Sequence, residues 1–216
     1  MEIIQPRSHD HWLRLRLEVI TSTEIAALFN ESPYLTEFEL WHQKKNKQIN
    51  SIEENERMFW GNILEESIAK GVCQRNGWTG EPFKIFGVRS RIGSSFDWKI
   101  QVEGKECLLE IKNVDGLVFR DDWTNPDGTI EPPTHIDLQA QHQMLVSGID
   151  TCYIAALVGG NDLKIIKREA NKNIQEMILD KTEKFWQSIE SNVAPSPNFE
   201  EDAAFIMKMN QDVDEG

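Results

Sequence analysis

Residues 96–112 read FDWKIQVEGKECLLEIK, and the alternation within them decides how the chain folds. With Glu103-Gly104 as a two-residue turn, the flanking segments form a β-hairpin in which Asp97 stands directly opposite Glu110. One face then carries Phe96, Trp98, Ile100, Val102, Cys107, Leu109 and Ile111. The other carries Ser95, Asp97, Lys99, Gln101, Glu106, Glu110 and Lys112, and only Leu108 and Lys105 break the pattern. Directly opposed carboxylates, with Cβ atoms roughly 5 Å apart, destabilise a sheet unless something compensates. Two readings are open at this point. A divalent cation shared by Asp97 and Glu110 would do so, and hard oxygen ligands suit Mg²⁺, with Lys112 on the same face to hold the attacking water. Alternatively the face is solvated, and Lys99 and Lys112 pair diagonally with the acids.

Outward from the hairpin, the segment preceding it is helical in pattern. His11 to Phe29 predicts two short helices, the second restarting at Thr21 or Ser22 as an N-cap for TEIAALF. TEFELWHQKKNK predicts a third. Glu53 to Asn76 predicts a longer one, with Phe59, Ile63, Ile68 and Val72 inward, Glu65 and Glu66 along it, and Gly77 as its stop. Strand character begins at Phe83. After the hairpin, Asp121 to Pro133 is rich in Pro and Gly and predicts a loop within reach of substrate. HIDLQAQHQMLVSG predicts a helix, CYIAALV and LKIIK a second hairpin, and ANKNIQEMILDKTEKFWQSIE a long amphipathic helix with Ile174, Ile178 and Phe185 inward.

The chain has 216 residues, 39% of them hydrophobic, which suffices for one core. The predicted organisation is a single domain over 1–198 followed by an acidic tail over 199–216. That tail holds six acidic residues against Lys208 alone, so it contributes −5 of the net −13. The start MEIIQPRSHD lacks the order of a signal peptide and no stretch has the length of a membrane span, so a cytoplasmic protein is expected. Cys73, Cys107 and Cys152 lie far apart in apolar surroundings and read as buried thiols. A strongly negative chain argues against simple nucleic-acid binding, because phosphate contacts leave a basic footprint. Carboxylates neutralised by a bound metal are compatible with that charge.

The Asp, hairpin and Glu-x-Lys pattern resembles the metal site of restriction-endonuclease-like nucleases of the PD-(D/E)XK superfamily. Three further segments are similar to the lambda exonuclease and YqaJ-type viral recombinase family: WLRLRLEVITSTEIAALF, GNILEESIA and HIDLQAQHQMLVSG. The four motifs occur in the family's order and cover roughly residues 10–170.

What the resemblance implies is an α/β fold, with a mixed central β-sheet flanked by α-helices. It implies metal ligation by Glu65, Asp97, Glu110 and the main-chain carbonyl of Ile111, with Lys112 and Gln139 also catalytic. Glu66 is the alternative to Glu65, and Gln143 shares a helix face with Gln139. Arg16, Thr23 and Ser95 fall where the family binds a 5′-terminal phosphate, although Thr23 replaces the family serine. Where family members often have a basic residue after Glu-x-Lys this chain has Val118, and Arg120 two positions later is the nearest substitute. Trp123 beside it is a candidate for stacking on a base. The implied function is a 5′-to-3′ exonuclease that digests one strand of linear double-stranded DNA from a 5′-phosphorylated end and leaves 3′ overhangs for phage-type recombination. The implied cofactor is Mg²⁺, with Mn²⁺ as the candidate substitute, and the implied partners are DNA ends, a single-strand annealing protein and two further copies of the chain in a homotrimer. Rival expectations are a RecB-like or CRISPR-associated nuclease of other polarity, an endonuclease, and a catalytically inert DNA-binding or assembly subunit.

Overall fold

The computed structural model describes residues 1–49 and 55–214, with side chains described through Met209. A short strand β1 (Glu2–Ile4) precedes α1 (His9–Leu17), whose N-terminus is capped by the Ser8 hydroxyl, and two-residue β2 (Ile20–Thr21) follows. Ile25–Phe29 then form a 3₁₀ turn, α2 spans Glu37–Lys45 and α3 spans Glu56–Asn76. Next come β3 (Thr79–Pro82), β4 (Phe86–Arg89), β5 (Ile92–Ser95), β6 (Trp98–Val102) and β7 (Lys105–Val114). One turn, α4 (Gly116–Val118), runs into a π-helical turn over Phe119–Trp123. The remainder is α5 (Thr134–Ser147), β8 (Thr151–Val158), β9 (Asp162–Glu169), α6 (Lys172–Glu190) and α7 (Ala203–Asp214).

The larger sheet runs β3-β6-β7-β8-β9 and is mixed, because β7 and β8 are parallel and joined through α5 while the other pairs are antiparallel. A smaller sheet, β1-β4-β5-β2, adjoins it, so the expected mixed α/β architecture is present with a second sheet added. The hairpin register is the predicted one: Trp98 faces Leu109 and Val102 faces Lys105. Glu103 and Gly104 both adopt positive φ, 51° and 76°, which the tight primed turn demands.

Alternation along β7 places Leu108, Glu110, Lys112 and Val114 towards α5, and Cys107, Leu109 and Ile111 towards α3. Both faces are covered. Leu108 and Val114 join one apolar cluster with residues of α2, α5 and α6; Leu109 and Ile111 join another with Ile68, Ala69 and Val72 of α3. The solvated-face alternative is therefore overturned: Glu110 is 4% exposed. Phe96 also departs from expectation. The chain leaves strand geometry at Phe96 and Asp97 between the two sheets, so Phe96 packs on Phe83 in the first cluster while Trp98 enters the second.

Other expectations are corrected by packing. Burial of α3 lies in its second half, at Ile68, Ala69, Val72 and Cys73, which leaves Phe59 and Ile63 exposed with Met58 and Trp60. The predicted start of this helix at Glu53 lies outside the described residues. The predicted second helix is the 3₁₀ turn, and no side-chain hydroxyl caps it; instead the Glu24 carboxylate accepts from the Thr21 N–H at 2.9 Å. All three cysteines are buried and unpaired. No helix among the described residues is long and apolar enough to cross a membrane.

Candidate active site

A cleft of about 590 Å³ opens between α1, α3, α5 and the junction of the two sheets. Its lining includes Arg16, Thr23, Ser95, Glu65, Asp97, Glu110, Ile111, Lys112, Gln139 and Gln143. Nine of the eleven residues singled out from sequence, together with Gln143, thus share one cavity although they span more than 120 positions. Arg16, Lys84 and Lys112 face Glu65, Asp97 and Glu110 along it, so a chain of net charge −13 presents a cleft of balanced formal charge.

Glu110 is the centre of the deep end. Its Oε1 accepts from Lys112 Nζ at 2.7 Å and from Gln139 Nε2 at 2.6 Å, and its Oε2 accepts from Gln143 Nε2 at 2.7 Å. Lys112 also donates to Gln139 Oε1 at 3.0 Å, closing a triangle. Burial alone would push the Lys112 ammonium down, but the carboxylates of Glu110 and Asp97 outweigh it, and the proton is held more firmly than usual. Asp97 stands at the bend leading into β6, where its Oδ2 accepts from the Ile111 N–H at 2.8 Å across the hairpin. Burial first, then the charges of Glu110 and Glu65, push the Asp97 carboxyl up to about 8 despite Lys112 nearby.

Glu65 and not Glu66 lines the cleft. Glu66 points outward and pairs with Lys70 one turn on. Glu65 is bound by Lys84, which reaches it from the segment before β4. Lys84 escaped sequence reading because an isolated lysine between two short strands has no local pattern. Trp12 escaped it too: its Nε1–H donates to Ser95 Oγ at 2.9 Å, and the Arg16 guanidinium lies over its ring at 4.7 Å. Arg16 also donates to Thr23 Oγ1 at 3.3 Å, so of the residues expected at a terminal phosphate Arg16 meets Thr23 directly and Ser95 through Trp12.

Two expected contacts are not in the cleft. Trp123 is 2% exposed and stacks on Phe119 with ring centres 5.5 Å apart, which makes it a core residue and not a base-stacking one. Arg120 lies in the same π-helical turn but points to solvent, where Asp121 accepts from its guanidinium at 2.7 and 3.2 Å. The Asp121–Pro133 stretch is held by the Trp123 carbonyl accepting from Glu131 N–H and by a bridge between Thr124 and Ile130.

The donors at the deep end suit a hard divalent cation in their chemistry. Asp97, Glu110 and Glu65 gather carboxyl groups where burial makes an uncompensated charge costly, and the strong upward push on Asp97 expresses that cost. Among the described residues no three acidic, histidine or cysteine groups stand close enough to form a complete cage. The residues fit an ion of the kind that takes one or two carboxylates, and Glu65 is paired with Lys84 in this structure.

A family model described as the YqaJ-like viral recombinase domain matches residues 11–150. A curated relative, the uncharacterized protein YqaJ of Bacillus subtilis (strain 168), is 26% identical over 184 residues, which is 83% of this chain and 56% of that protein. The chain thus spans little more than half the length of that relative. Among solved structures, an alkaline exonuclease (LHK-Exo) from Laribacter hongkongensis superposes with a TM-score of 0.68 at 18% identity, covering 85% of this chain and 94% of that one. A phage related exonuclease from Haemophilus somnus gives a TM-score of 0.57 at 12% identity over 85% of this chain and 100% of the other. At such identities the likeness bears on the fold, which is the restriction-endonuclease-like α/β core.

Proposed function

The chain belongs to the YqaJ-like viral recombinase domain family, and from that premise and the cleft we propose that it is a Mg²⁺-dependent deoxyribonuclease acting from DNA ends. In this reading it digests one strand of linear duplex in the 5′-to-3′ direction from a 5′-phosphorylated end and leaves a 3′ single strand for recombination. The observation that carries it is the continuity of one cleft from Arg16, Thr23 and Ser95 to Asp97, Glu110, Lys112 and Gln139. The first group offers a guanidinium and two hydroxyls to a terminal phosphate, and the second offers carboxylates and an ammonium to a phosphodiester.

Asp97, Glu110, the Ile111 carbonyl and Glu65 would hold the metal. When bound, Mg²⁺ would supply an acidified water and polarise the scissile phosphate. Lys112, which donates to Glu110 and Gln139, brings its ammonium to the place where charge would grow on the phosphorane oxygens. Gln139 orients Lys112 through its carbonyl and Glu110 through its amide. Family membership supports the remaining parts of the proposal, a cytoplasmic ring-shaped homotrimer working beside a single-strand annealing protein.

Incubating the chain and Mg²⁺ with linear duplex labelled at either strand end, beside a closed circle, tests the proposal. Loss of label from 5′-phosphorylated ends with the circle intact is expected. Cutting of the circle would reject exonuclease action, and loss from the 3′ end first would reject the polarity.

A further inference from the structure

Beneath Arg16 lies an ion pair that does not open onto the cleft. Lys44 of α2 is buried, and its Nζ donates to the Arg16 main-chain carbonyl at 2.6 Å and to Glu24 Oε2 at 2.7 Å. Glu24 Oε1 accepts from the Arg16 guanidinium at 3.4 Å, while Oε2 also accepts the Thr21 N–H at 2.9 Å. Burial pushes the Glu24 carboxyl up, yet Lys44 and Arg16 together overcome it and hold the carboxyl below its ordinary range. Burial also pushes the Lys44 ammonium down, against the pull of Glu24. Side-chain exposure separates the two cations: 25% for Arg16 and 2% for Lys44.

Sealing a lysine away from water is costly, and a surface arginine needs no such support merely to stay folded. The arrangement fixes Arg16 at two points. Lys44 holds its backbone at the end of α1, and Glu24 holds its guanidinium, which Trp12 supports from below. A guanidinium already clamped gives up little rotamer freedom on binding, so more of its interaction appears as affinity. Two cations around one carboxylate also leave one formal positive charge at this end of the cleft. A terminal phosphate monoester carries about −1.5 to −2 at neutral pH, against −1 for a diester within a strand.

We propose that Lys44 and Glu24 are positioning residues for anion recognition, holding Arg16 in a binding geometry and biasing the pocket towards a terminal phosphate over an internal diester. This rests on the end-dependent reading above.

The test compares kcat/KM of the full chain on linear duplex bearing 5′-phosphate with that on 5′-hydroxyl, together with binding of both ends in EDTA. Wild type is expected to prefer the phosphate. Lys44→Met should shrink that preference by about tenfold, on the scale of one charge-assisted hydrogen bond. The change should lie in KM and in EDTA binding more than in kcat. Glu24→Asp keeps every charge but shortens the clamp, and should shrink the preference as well, which covers the case where Lys44→Met does not fold. In an Arg16→Ala background neither change should alter the ratio further. A folded Glu24→Asp or Lys44→Met that slows both ends equally at the wild-type ratio would overturn the positioning role and leave the end-dependent reading intact. Equal rates and equal binding of both ends by wild type would remove that reading and this proposal with it.

Discussion

Gln143 Nε2 donates to Glu110 Oε2 at 2.7 Å, from a helix whose glutamines look in sequence like surface residues. With Gln139 on the other oxygen, α5 presents two amides to one buried carboxylate. Gln143→Leu keeps the volume but leaves Oε2 without this partner, which costs about 1–3 kcal/mol when the acceptor is buried. The expected outcome is a nuclease rate reduced by tenfold or more with a lowered unfolding midpoint in urea. Wild-type rate and midpoint together would show that the contact is dispensable.

Lys112 carries the sharpest prediction for chemistry. Lys112→Ala removes the ammonium from Glu110 and from the phosphodiester while leaving Arg16, Thr23 and Ser95 in place. Mg²⁺-dependent digestion should fall by about 10²–10³-fold, the range for losing an electrostatic donor at a reacting centre. Binding of linear duplex in EDTA should be retained. Unchanged digestion would overturn the placement of Lys112 at the reacting centre.

The hairpin was legible because its determinants are local. Glu103-Gly104 demands positive φ, and the flanking alternation sets a register that a one-residue slip would invert. Its surroundings were less legible because they come from distant segments. Leu108 looked like a fault in a polar face, yet it is the apolar floor that α5 covers. Gln139, Gln143 and His142 are buried by that same docking, which no helical periodicity announces. Trp123 was misplaced for the converse reason: a Pro- and Gly-rich stretch suggests exposure, but Phe119 one π turn earlier supplies a stacking partner. The two residues of β2 pair with β5 some seventy positions on, and so short a strand leaves no pattern.

Glu65 and Glu66 can be told apart in function. Glu65→Gln alters a carboxylate facing Lys84 and Asp97, and should raise the Mg²⁺ concentration needed for half-maximal digestion by about tenfold. Glu66→Gln touches an exposed pair with Lys70 and should leave that concentration unchanged. A reversed result would move the proposed ligand by one residue.

His142 makes stability depend on pH. It is fully buried, with Nε2 3.1 Å from the Ile20 carbonyl, and burial pushes its pKa from 6.5 down to about 4. The folded protein therefore keeps the ring neutral while the unfolded chain takes up a proton below 6.5. Its contribution is complete above pH 6.5 and is lost as pH falls towards 4. At about 1.4 kcal/mol per pH unit the loss approaches 3 kcal/mol. Denaturant titrations at pH 7.5, 6 and 4.5 should show a steeper decline for wild type than for His142→Gln, whose amide does not titrate. Parallel declines would assign the slope to other groups.

Asp202 tests whether the C-terminal segment is only solvated charge. Its Oδ1 accepts from the Thr36 hydroxyl at 2.5 Å and its Oδ2 from the Asn198 N–H at 2.7 Å. The Thr36 hydroxyl in turn caps α2 through the Glu39 N–H at 3.0 Å. Phe205 of α7 meets Phe38 edge-on, with ring centres 6.1 Å apart. One buried carboxylate thereby joins the start of α2 to the approach to α7, and α2 is the helix that brings Lys44 to Arg16. Asp202→Ala should destabilise the chain by about 1–3 kcal/mol in urea, the cost of stranding buried donors. Glu200→Ala, on an exposed residue of the same segment, should leave the midpoint in place. Equal midpoints for wild type and Asp202→Ala would return residues 199–216 to the standing of a solvated tail.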